Sequence, residues 1–323
     1  MAIKNIVTDM TALEVARRSS DPDAFTIIET MSIVNTMLQE LPAQEANDST
    51  VHTTVQRISY PGGEHRIYNQ GVGAKSSQTD VIQDKICMLE SFSKVDTALA
   101  QHSGNPKALF DSEAKAFLMG MGLNQADDII YGNNANQPGE INGLATRYAK
   151  LSDHCISFNG TGNILTSIYL IAVGPKACHL IYPKGSKSVG VQREDLGIQL
   201  VKDEKGKEFL AHVDHFKSEY GITIEHPDAV IRICNIPNIL TPNQRIELVE
   251  LIFRYQKSLT IGIVNTALFA NKNVLYQLER AGRECGYVSH DDFDSWGKPI
   301  VSINDIRFRL QNAILSTEAE IAA

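Results

Sequence analysis

Long apolar runs are missing from this sequence of 323 residues. Its most apolar stretch, SIYLIAVGPKACHLIY, is interrupted by Gly174, Pro175 and Lys176, so it is shorter than the ~20 apolar residues that a membrane helix needs. The first residues also lack the apolar segment and small-residue cleavage site of a signal peptide. We therefore expect no membrane contact and a chain that folds in the cytoplasm.

Paired cysteines and an excess of positive charge are missing as well. No CxxC pair occurs among the five cysteines, which argues against a disulfide framework and against a zinc site. We expect these residues to be small buried side chains: Cys87, Cys155, Cys178, Cys234 and Cys285. With 30 Lys+Arg against 38 Asp+Glu, the formal charge is −8, so the chain has no general attraction to nucleic acid.

Catalytic motifs are equally scarce. The patterns GxSxG, HExxH and GxGxxG are absent, and GVGAKS at 71–76 lacks the lysine that must directly follow the last glycine of a phosphate-binding loop. The nearest approach to a metal cluster is His212, Asp214 and His215, with His226 beyond a predicted turn. Because side chains alternate along a strand, His212 and Asp214 point to one face and His215 to the other. The residues therefore predict no catalytic group, no cofactor and no metal.

The chain does contain enough apolar sequence for about two domains, since 43% of its residues are hydrophobic. Apolar residues at helical spacing predict an amphipathic helix over 21–41. A longer helix is predicted over 106–132, where Asn105-Pro106 opens it and Gly132 closes it. At ~1.5 Å per residue this helix would be about 40 Å long.

Two β-rich runs over 51–72 flank the turn Pro61-Gly62-Gly63 and predict a long β-hairpin. Both faces of the first run carry polar residues, so neither face could form a core. Because an isolated two-stranded hairpin is marginally stable in water, two interpretations stand at even weight. Something outside its own domain holds the hairpin, or one edge packs on its own chain.

The remaining segments mix strands and helices without a βαβ rhythm, which predicts the α+β class. Strands are expected at 167–174 and 177–183, two long strands around a turn near 218–221, and further strands at 260–265 and 297–305. A helix is expected after Thr241, which has capping-box spacing to Gln244, and another over 271–282.

Several strings, in order along the chain, resemble the major capsid proteins of short-tailed (podovirus-type) phages and related prophages. They are HTTVQR and YNQGV in the hairpin region, SEAKAF and YGN in the long helix, INGLATRY after it, IYPKGSKSVGVQREDLG, GKPIVSIND and AILSTEA. The resemblance covers most of the chain from residue 51 onward, and IYPKGSK with REDLG is its most specific part.

The resemblance implies the Hong Kong 97-like α+β capsid fold. By that analogy the chain would divide into an N-terminal arm and helix at 1–50, an extended β-hairpin loop at 51–80, a peripheral domain at 81–236 with the spine helix 106–132, an axial-type α/β domain at 237–295, and a C-terminal return to the core at 296–323.

The function implied is that of a non-enzymatic shell protein, assembled in the bacterial host cytoplasm and resident in the virion. Pentamers and hexamers would build an icosahedral head around double-stranded DNA without sequence-specific binding. The other partners expected are a cementing or decoration protein, a portal and a scaffolding factor. Two alternatives remain: a nanocompartment shell around a protein cargo, and a cytoplasmic α/β enzyme that uses 241–290 and the His212 region.

The resemblance also directs attention to the extended loop as an inter-subunit contact. The candidate contact residues are Arg57, Tyr60, Glu64, His65 and Arg66. Some relatives form covalent links from a loop lysine to an asparagine. Here the predicted tip YPGGEHR has no lysine and Lys75 is expected at the base, so we expect a non-covalent shell.

Overall fold

The structure is a computed structural model. It describes residues 31, 33–102, 104–186, 191–259, 265–285, 288–293, 299–303 and 306–322. Most of the helix predicted over 21–41 and all but the last residue of the strand predicted at 260–265 lie outside these residues.

Fourteen strands and six helices are formed by the described residues. The strands are β1 (Ala43–Glu45), β2 (Val51–Arg57), β3 (Thr79–Lys85), β4 (Cys87–Asp96), β5 (Cys155–Ser157), β6 (Leu165–Val173), β7 (Cys178–Tyr182), β8 (Val191–Lys202), β9 (Glu208–Ile224), β10 (Val230–Pro237), β11 (Asn265–Ala270), β12 (Val288–Phe293), β13 (Pro299–Ile303) and β14 (Ile306–Leu310). The helices are α1 (Met37–Glu40), α2 (Thr97–His102), α3 (Pro106–Tyr131), α4 (Leu144–Arg147), α5 (Pro242–Gln256) and α6 (Lys272–Cys285), with a 3-10 turn at Pro227–Ala229.

One twelve-stranded sheet organises the molecule, in the order β12-β13-β14-β11-β6-β7-β9-β4. The strand β10 pairs with β6, β5 with β10, β1 with β7 and β8 with β9, while β2 and β3 form a separate two-stranded ribbon. Irregular alternation of strands and helices produces this arrangement, and it confirms the predicted α+β class.

Two hydrophobic cores lie on opposite faces of the central strand β6, all nine residues of which are buried. Tyr169 and Ile171 contribute to a core with α3, β7 and β9. Ile168 and Leu170 contribute to a second core with β10, β11, α5 and α6. Since successive side chains of a strand alternate faces, this continuous apolar run supplies both cores at once.

The long helix α3 has the ends that the sequence predicts. The Asn105 side chain accepts a hydrogen bond from the Ala108 backbone N–H at 3.2 Å, with Pro106 at the first helical position. At the other end the N–H of Gly132 donates to Asp128 O at 2.9 Å. Its 26 residues measure about 39 Å at ~1.5 Å per residue.

The helix α5 also begins as the sequence predicts, with the complete capping box. The Thr241 hydroxyl accepts from the Gln244 N–H, and the Gln244 side chain accepts from the Thr241 N–H at 3.0 Å. Within the part of the chain that is described, none of these helices combines the length and apolarity of a membrane span.

The N-terminal segment is interrupted before α1, whereas the sequence predicted one continuous helix to residue 41. The Asn35 N–H still donates to Met31 O at 3.0 Å, but the Asn35 carbonyl accepts from the Leu38 N–H at 3.2 Å, three residues on. The Asn35 side chain accepts from the Met37 N–H at 3.2 Å and from Gln311 Nε2 at 3.0 Å. A side chain that competes for backbone donors favours such a break. The break lets the Glu40 carboxylate reach Arg307 at 2.9 Å and Arg309, so α1 is tied to β14.

The turn predicted near 218–221 is wrong. The strand β9 runs uninterrupted for 17 residues through this region, because its second half pairs with both β4 and β7. The turn lies earlier, between β8 and β9, where Asp203 Oδ1 accepts the backbone N–H groups of Lys205 and Lys207 and Gly206 has φ +77°. Asp203 and Gly206 are the sequence signal for this Asx-type turn, but the prediction rested on the pattern of apolar residues instead.

The C-terminal segment crosses the sheet and is fixed by a buried ionic network. Arg232 Nη2 donates to Glu318 Oε2 at 3.1 Å, and Tyr131 OH donates to Glu318 Oε1 at 2.5 Å. The Ser167 hydroxyl also donates to Glu318. The network therefore joins β6, β10, α3 and the last segment of the chain.

The expectation that the cysteines are small buried side chains is confirmed for the four that are described. Cys87, Cys155, Cys178 and Cys234 are all buried free thiols. The side chain of Cys285 lies outside the described residues.

Candidate assembly surface

The extended hairpin, which we define as residues 51–85, has different strands from those that the sequence predicts. The strand β2 pairs antiparallel with β3, from Val51 opposite Lys85 to Arg57 opposite Thr79. The run after Pro61-Gly62-Gly63, predicted as the second strand, forms no strand. The segment TDVIQDK at 79–85 has the higher β-propensity because of Val81 and Ile82, so it pairs with β2. In the run that follows Gly63, Asn69 has a left-handed backbone conformation with φ 67°, which is unfavourable in a strand.

The base of the hairpin packs on its own chain, as one of the two interpretations proposed. On one face of β2, His52 and Thr54 are buried, and Gln56 Nε2 donates to Ile224 O at 2.7 Å. Asn47 binds the other edge of β2, donating to Thr53 O at 2.7 Å and accepting the Thr53 N–H at 2.8 Å.

The returning strand is held by charge. Asp84, 3% exposed, forms an ion pair with Arg147 at 2.7 Å, and Lys85 Nζ donates to Asn134 Oδ1 at 3.0 Å. Arg147 in turn donates to Ile222 O at 3.1 Å. The base of the hairpin therefore has a fixed direction relative to the sheet.

The hairpin tip, which we define as residues 58–78, contrasts with this base. Every residue from 60 to 78 is exposed. The exposed residues include five large apolar side chains, and Tyr68 is 93% exposed: Ile58, Tyr60, Ile67, Tyr68 and Val72. An exposed apolar surface of this density on a projecting loop is typical of a contact with another molecule.

All five contact residues predicted from the sequence lie on or at the border of this tip, and all are exposed. Glu64 forms an ion pair with Lys75 at 2.6 Å, and Lys75 Nζ also lies 3.4 Å from Gly62 O. Among the described contacts, Arg57, Tyr60, His65 and Arg66 have no side-chain hydrogen bond or ion pair. Their polar groups are therefore available to a partner.

Two features of the tip are not among the predictions from the sequence. Lys75 lies beside the tip turn and not at the base, as its contacts with Glu64 and Gly62 O show. Ile67 and Tyr68 are the most exposed apolar pair of the tip, and the signal for them is an apolar doublet followed by the turn-forming residues Asn69-Gln70-Gly71.

The His212 region brings together Asp195, His212 and Asp214, whose ligand atoms lie within 4.8 Å of one another, and not the set with His215 and His226 that the enzyme alternative requires. His212 Nε2 lies 3.0 Å from Asp195 Oδ1, but Asp214 is already paired with Arg193 at 2.8 Å. His215 points to the opposite face and stacks on Phe92 with ring centroids 4.6 Å apart. Because β9 does not turn back at 218–221, His226 is not returned to this group.

Comparisons with known proteins place these observations in context. A sequence model of the family described as "Major capsid protein GP7" matches residues 19–322. The solved structure of bacteriophage Epsilon15 is similar over 87% of this chain and 88% of that chain, with 27% identity and a TM-score of 0.63. No curated protein sequence matches the chain.

Two further solved structures are more distant. The capsid of bacteriophage JBD30 is 11% identical over 76% of this chain and 82% of that chain, with a TM-score of 0.47. The SrpI encapsulin complex from Synechococcus elongatus PCC 7942 is 11% identical over 61% of this chain and 85% of that chain, with a TM-score of 0.42.

Proposed function

Because the chain belongs to the major capsid protein GP7 family and has the Hong Kong 97-like fold, it is a structural shell protein of a phage head and not an enzyme; on that premise we propose how it assembles. Pentamers and hexamers of this chain close an icosahedral shell around double-stranded DNA. In each ring, the hairpin tip of one subunit lies over the next subunit.

The exposed apolar tip on a fixed base is the observation that carries this proposal. A tip that carries Ile67 and Tyr68 gains from burial at roughly 25 cal/mol per Å² of apolar surface removed from water. The anchors of the base, Asp84–Arg147 and Gln56 with Ile224 O, hold the tip away from its own body. The tip is therefore presented for contact with a neighbouring molecule.

Polar residues of the tip determine how it is oriented on the neighbouring subunit more than how tightly it binds. Exposed charge pairs contribute about 0.2–1 kcal/mol each, so Arg57, His65 and Arg66 select the orientation while the apolar residues supply the free energy. Hexamers and pentamers are closed rings with head-to-tail interfaces, in which the loop and its receiving surface are different parts of one chain.

The two cores support a proposed domain assignment. The core built on α3 and β9 corresponds to the peripheral domain, expected at 81–236, and the core built on α5 and α6 to the axial-type domain, expected at 237–295. The segments expected at 1–50 and 296–323 act as the arm and the C-terminal return. Support comes from the ion pair of Glu40 with Arg307, which joins the two segments.

The remaining partners follow from the composition and the class of protein. An acidic chain with a formal charge of −8 lets packaged DNA move, because phosphate binding through Lys and Arg is what would hold it. A portal, a scaffolding factor and a cementing or decoration protein complete the particle. The subunit is made in the bacterial host cytoplasm before it enters the virion.

Electron microscopy and analytical ultracentrifugation of the expressed protein test the assembly. We expect shells with five- and six-fold rings from the wild-type chain, with scaffolding factor supplied if required. A compact monomer under all these conditions would contradict shell formation by this chain.

The role of the tip is tested by the double variant Tyr60→Asp with Arg66→Glu. We expect a folded subunit with an unchanged melting temperature and at least about tenfold fewer shells, since each change removes complementarity only at the interface. The matched control is Tyr60→Phe with Arg66→Lys, which keeps the aromatic ring and the charge and should assemble. Normal shells from the charge-reversed variant would show that the tip is not part of the interface between subunits.

A further inference from the structure

A polar layer separates the base of the extended hairpin from the central sheet. The buried face of β2 contributes His52 and Thr54. Facing it, β7 contributes His179 and β9 contributes Thr223, which is the direct cross-strand neighbour of His179. Glu225 follows the last residue of β9 directly. Polar residues in such a position contrast with the apolar cores on the rest of the sheet.

Several of these polar atoms are buried without a hydrogen-bond partner. Both ring nitrogens of His179, which is 0% exposed, and the hydroxyl oxygens of Thr54 and Thr223 are in this condition. Leaving a buried polar group unpaired is unfavourable by about 1–3 kcal/mol, and native structures rarely gather several in one place. The concentration around His179 therefore points to a bound species that the protein atoms alone do not provide.

The geometry of the donors identifies that species. One ligand atom each from His52, His179 and Glu225 can be chosen so that all three lie within 4.8 Å of one another. The two imidazoles stand edge to face, with ring centroids 6.1 Å apart and an interplanar angle of 81°. Ligands of a tetrahedral zinc ion at ~2.0–2.1 Å lie about 3.3 Å apart, so small side-chain rotations bring the three donors onto one ion.

We propose that His52, His179 and Glu225 bind a divalent transition-metal ion, Zn²⁺ in preference, with water in the remaining position. Two imidazoles and one carboxylate suit zinc better than calcium or magnesium, which favour oxygen ligands. The ion would join β2 to the sheet at the point where the hairpin leaves the body.

Two neighbouring groups must adjust when the ion binds. The Asn47 backbone N–H donates to His52 Nδ1 at 3.3 Å. An imidazole that binds metal through Nε2 carries its proton on Nδ1, so this long hydrogen bond would be given up. Lys176 places a positive charge near Glu225, and its exposed side chain can turn away into solvent.

The consequence is a metal-dependent clamp on the hairpin base. An ion that binds only when β2 lies on the sheet stabilises that arrangement by mass action. His52 and His179 are far apart along the chain and belong to no spacing motif, so the sequence alone does not indicate this site. The proposal is separate from the assembly of the tip, since none of the three ligands is part of it.

Metal content measured on the full-length purified chain tests the proposal. The protein is treated with a chelator, dialysed against Zn²⁺ and then metal-free buffer, and analysed by inductively coupled plasma mass spectrometry. We expect one Zn²⁺ per chain. The variants His52→Gln, His179→Gln and Glu225→Gln should each weaken binding by at least about tenfold. His226→Gln, a neighbouring histidine paired with Asp228, is the matched control and should bind as the wild type does.

A second measurement separates a built site from loss of folding and from non-specific uptake. Co²⁺ in place of Zn²⁺ should give the intense visible absorption of a four-coordinate ion, and Zn²⁺ should slow backbone hydrogen exchange in 51–57. Glu225→Gln, which changes a half-buried side chain, keeps the test valid if His179→Gln fails to fold. The proposal is overturned if the wild type binds no ion, or if the three variants and the control bind equally, which would indicate an adventitious ion only.

Discussion

The Asp84 carboxylate lies 2.7 Å from Arg147 Nη2, and this ion pair fixes the returning strand of the hairpin to the body. Arg147 is itself oriented by the carbonyl oxygens of Asn142 at 2.8 Å and Ile222 at 3.1 Å. A guanidinium group that is held by two backbone carbonyl oxygens is a more rigid ion-pair partner than a freely moving side chain. Together with the hydrogen bond from Gln56 to Ile224 O, this contact sets the direction of the hairpin.

Replacement of Arg147 by Met should lower the free energy of unfolding of the unassembled subunit by about 3–5 kcal/mol, because it leaves the buried Asp84 charge without a partner. Lys75→Met is the matched control. It breaks the Glu64–Lys75 pair, both members of which are more than 40% exposed, and should change the same quantity by less than about 1 kcal/mol. Urea denaturation measures both, and equal effects would contradict the anchoring role.

Glu318→Ala should be one of the most destabilising single changes in the C-terminal segment. It removes the partner of Arg232, whose side chain is 5% exposed, and leaves a buried guanidinium uncompensated, with a loss of about 3–5 kcal/mol. Glu320→Ala, which removes an exposed hydrogen bond from the Gly162 N–H, should lose less than about 1 kcal/mol. Calorimetric melting of the two variants checks the difference, and similar melting temperatures would argue against the network.

Gly221→Ala should destabilise the crossing of β9 with β4 and β7. A Cβ at this position would lie 2.8 Å from Lys85 O and 2.8 Å from Ile181 Cγ1, and such overpacking is unfavourable by about 1–3 kcal/mol. Gly120→Ala on the exposed face of α3 meets no atom within 4 Å and should stabilise by about 0.5–1 kcal/mol. Opposite signs in denaturant midpoints are the expected result, and a stabilised Gly221→Ala would contradict the close packing.

The Cys87 and Cys178 thiols should be inert in the folded protein. Burial raises the pKa of each to about 12, so only a very small fraction is thiolate at pH 8, and the thiolate is the reactive form. Peptide mass spectrometry after iodoacetamide treatment should show neither residue modified in the native subunit. Both should be modified in guanidinium chloride. Modification of Cys178 at equal rates in the two conditions would contradict its burial.

Elements with strong local signals could be predicted from the sequence. The helix α3 begins and ends where Asn105 and Gly132 predict, and α5 begins at the Thr241 capping box. These signals act within one helical turn, so no tertiary information is needed to interpret them. The apolar run of β6 was equally clear, because a strand buried on both faces carries no polar alternation.

Elements whose identity depends on distant partners were misjudged or missed. The second strand of the hairpin is 79–85 because it pairs with β2 across the entire tip, and β9 continues through 218–221 because β4 and β7 bind it there. The proximity of His52 and His179 depends on β2 folding over the sheet. The spacing of residues within a short segment does not predict such contacts, because each one forms between segments that are distant in the sequence.

The ion pair between Glu40 and Arg307 also bears on the timing of synthesis. Arg307 and Arg309 leave the ribosome long after Glu40, so α1 has no charged partner during most of translation. The strand β14, which must bind both α1 and β11, completes the sheet late. In the sheet, β12 and β13 are linked to β11 only through β14, so that edge of the sheet cannot form until residues 306–310 have been synthesised.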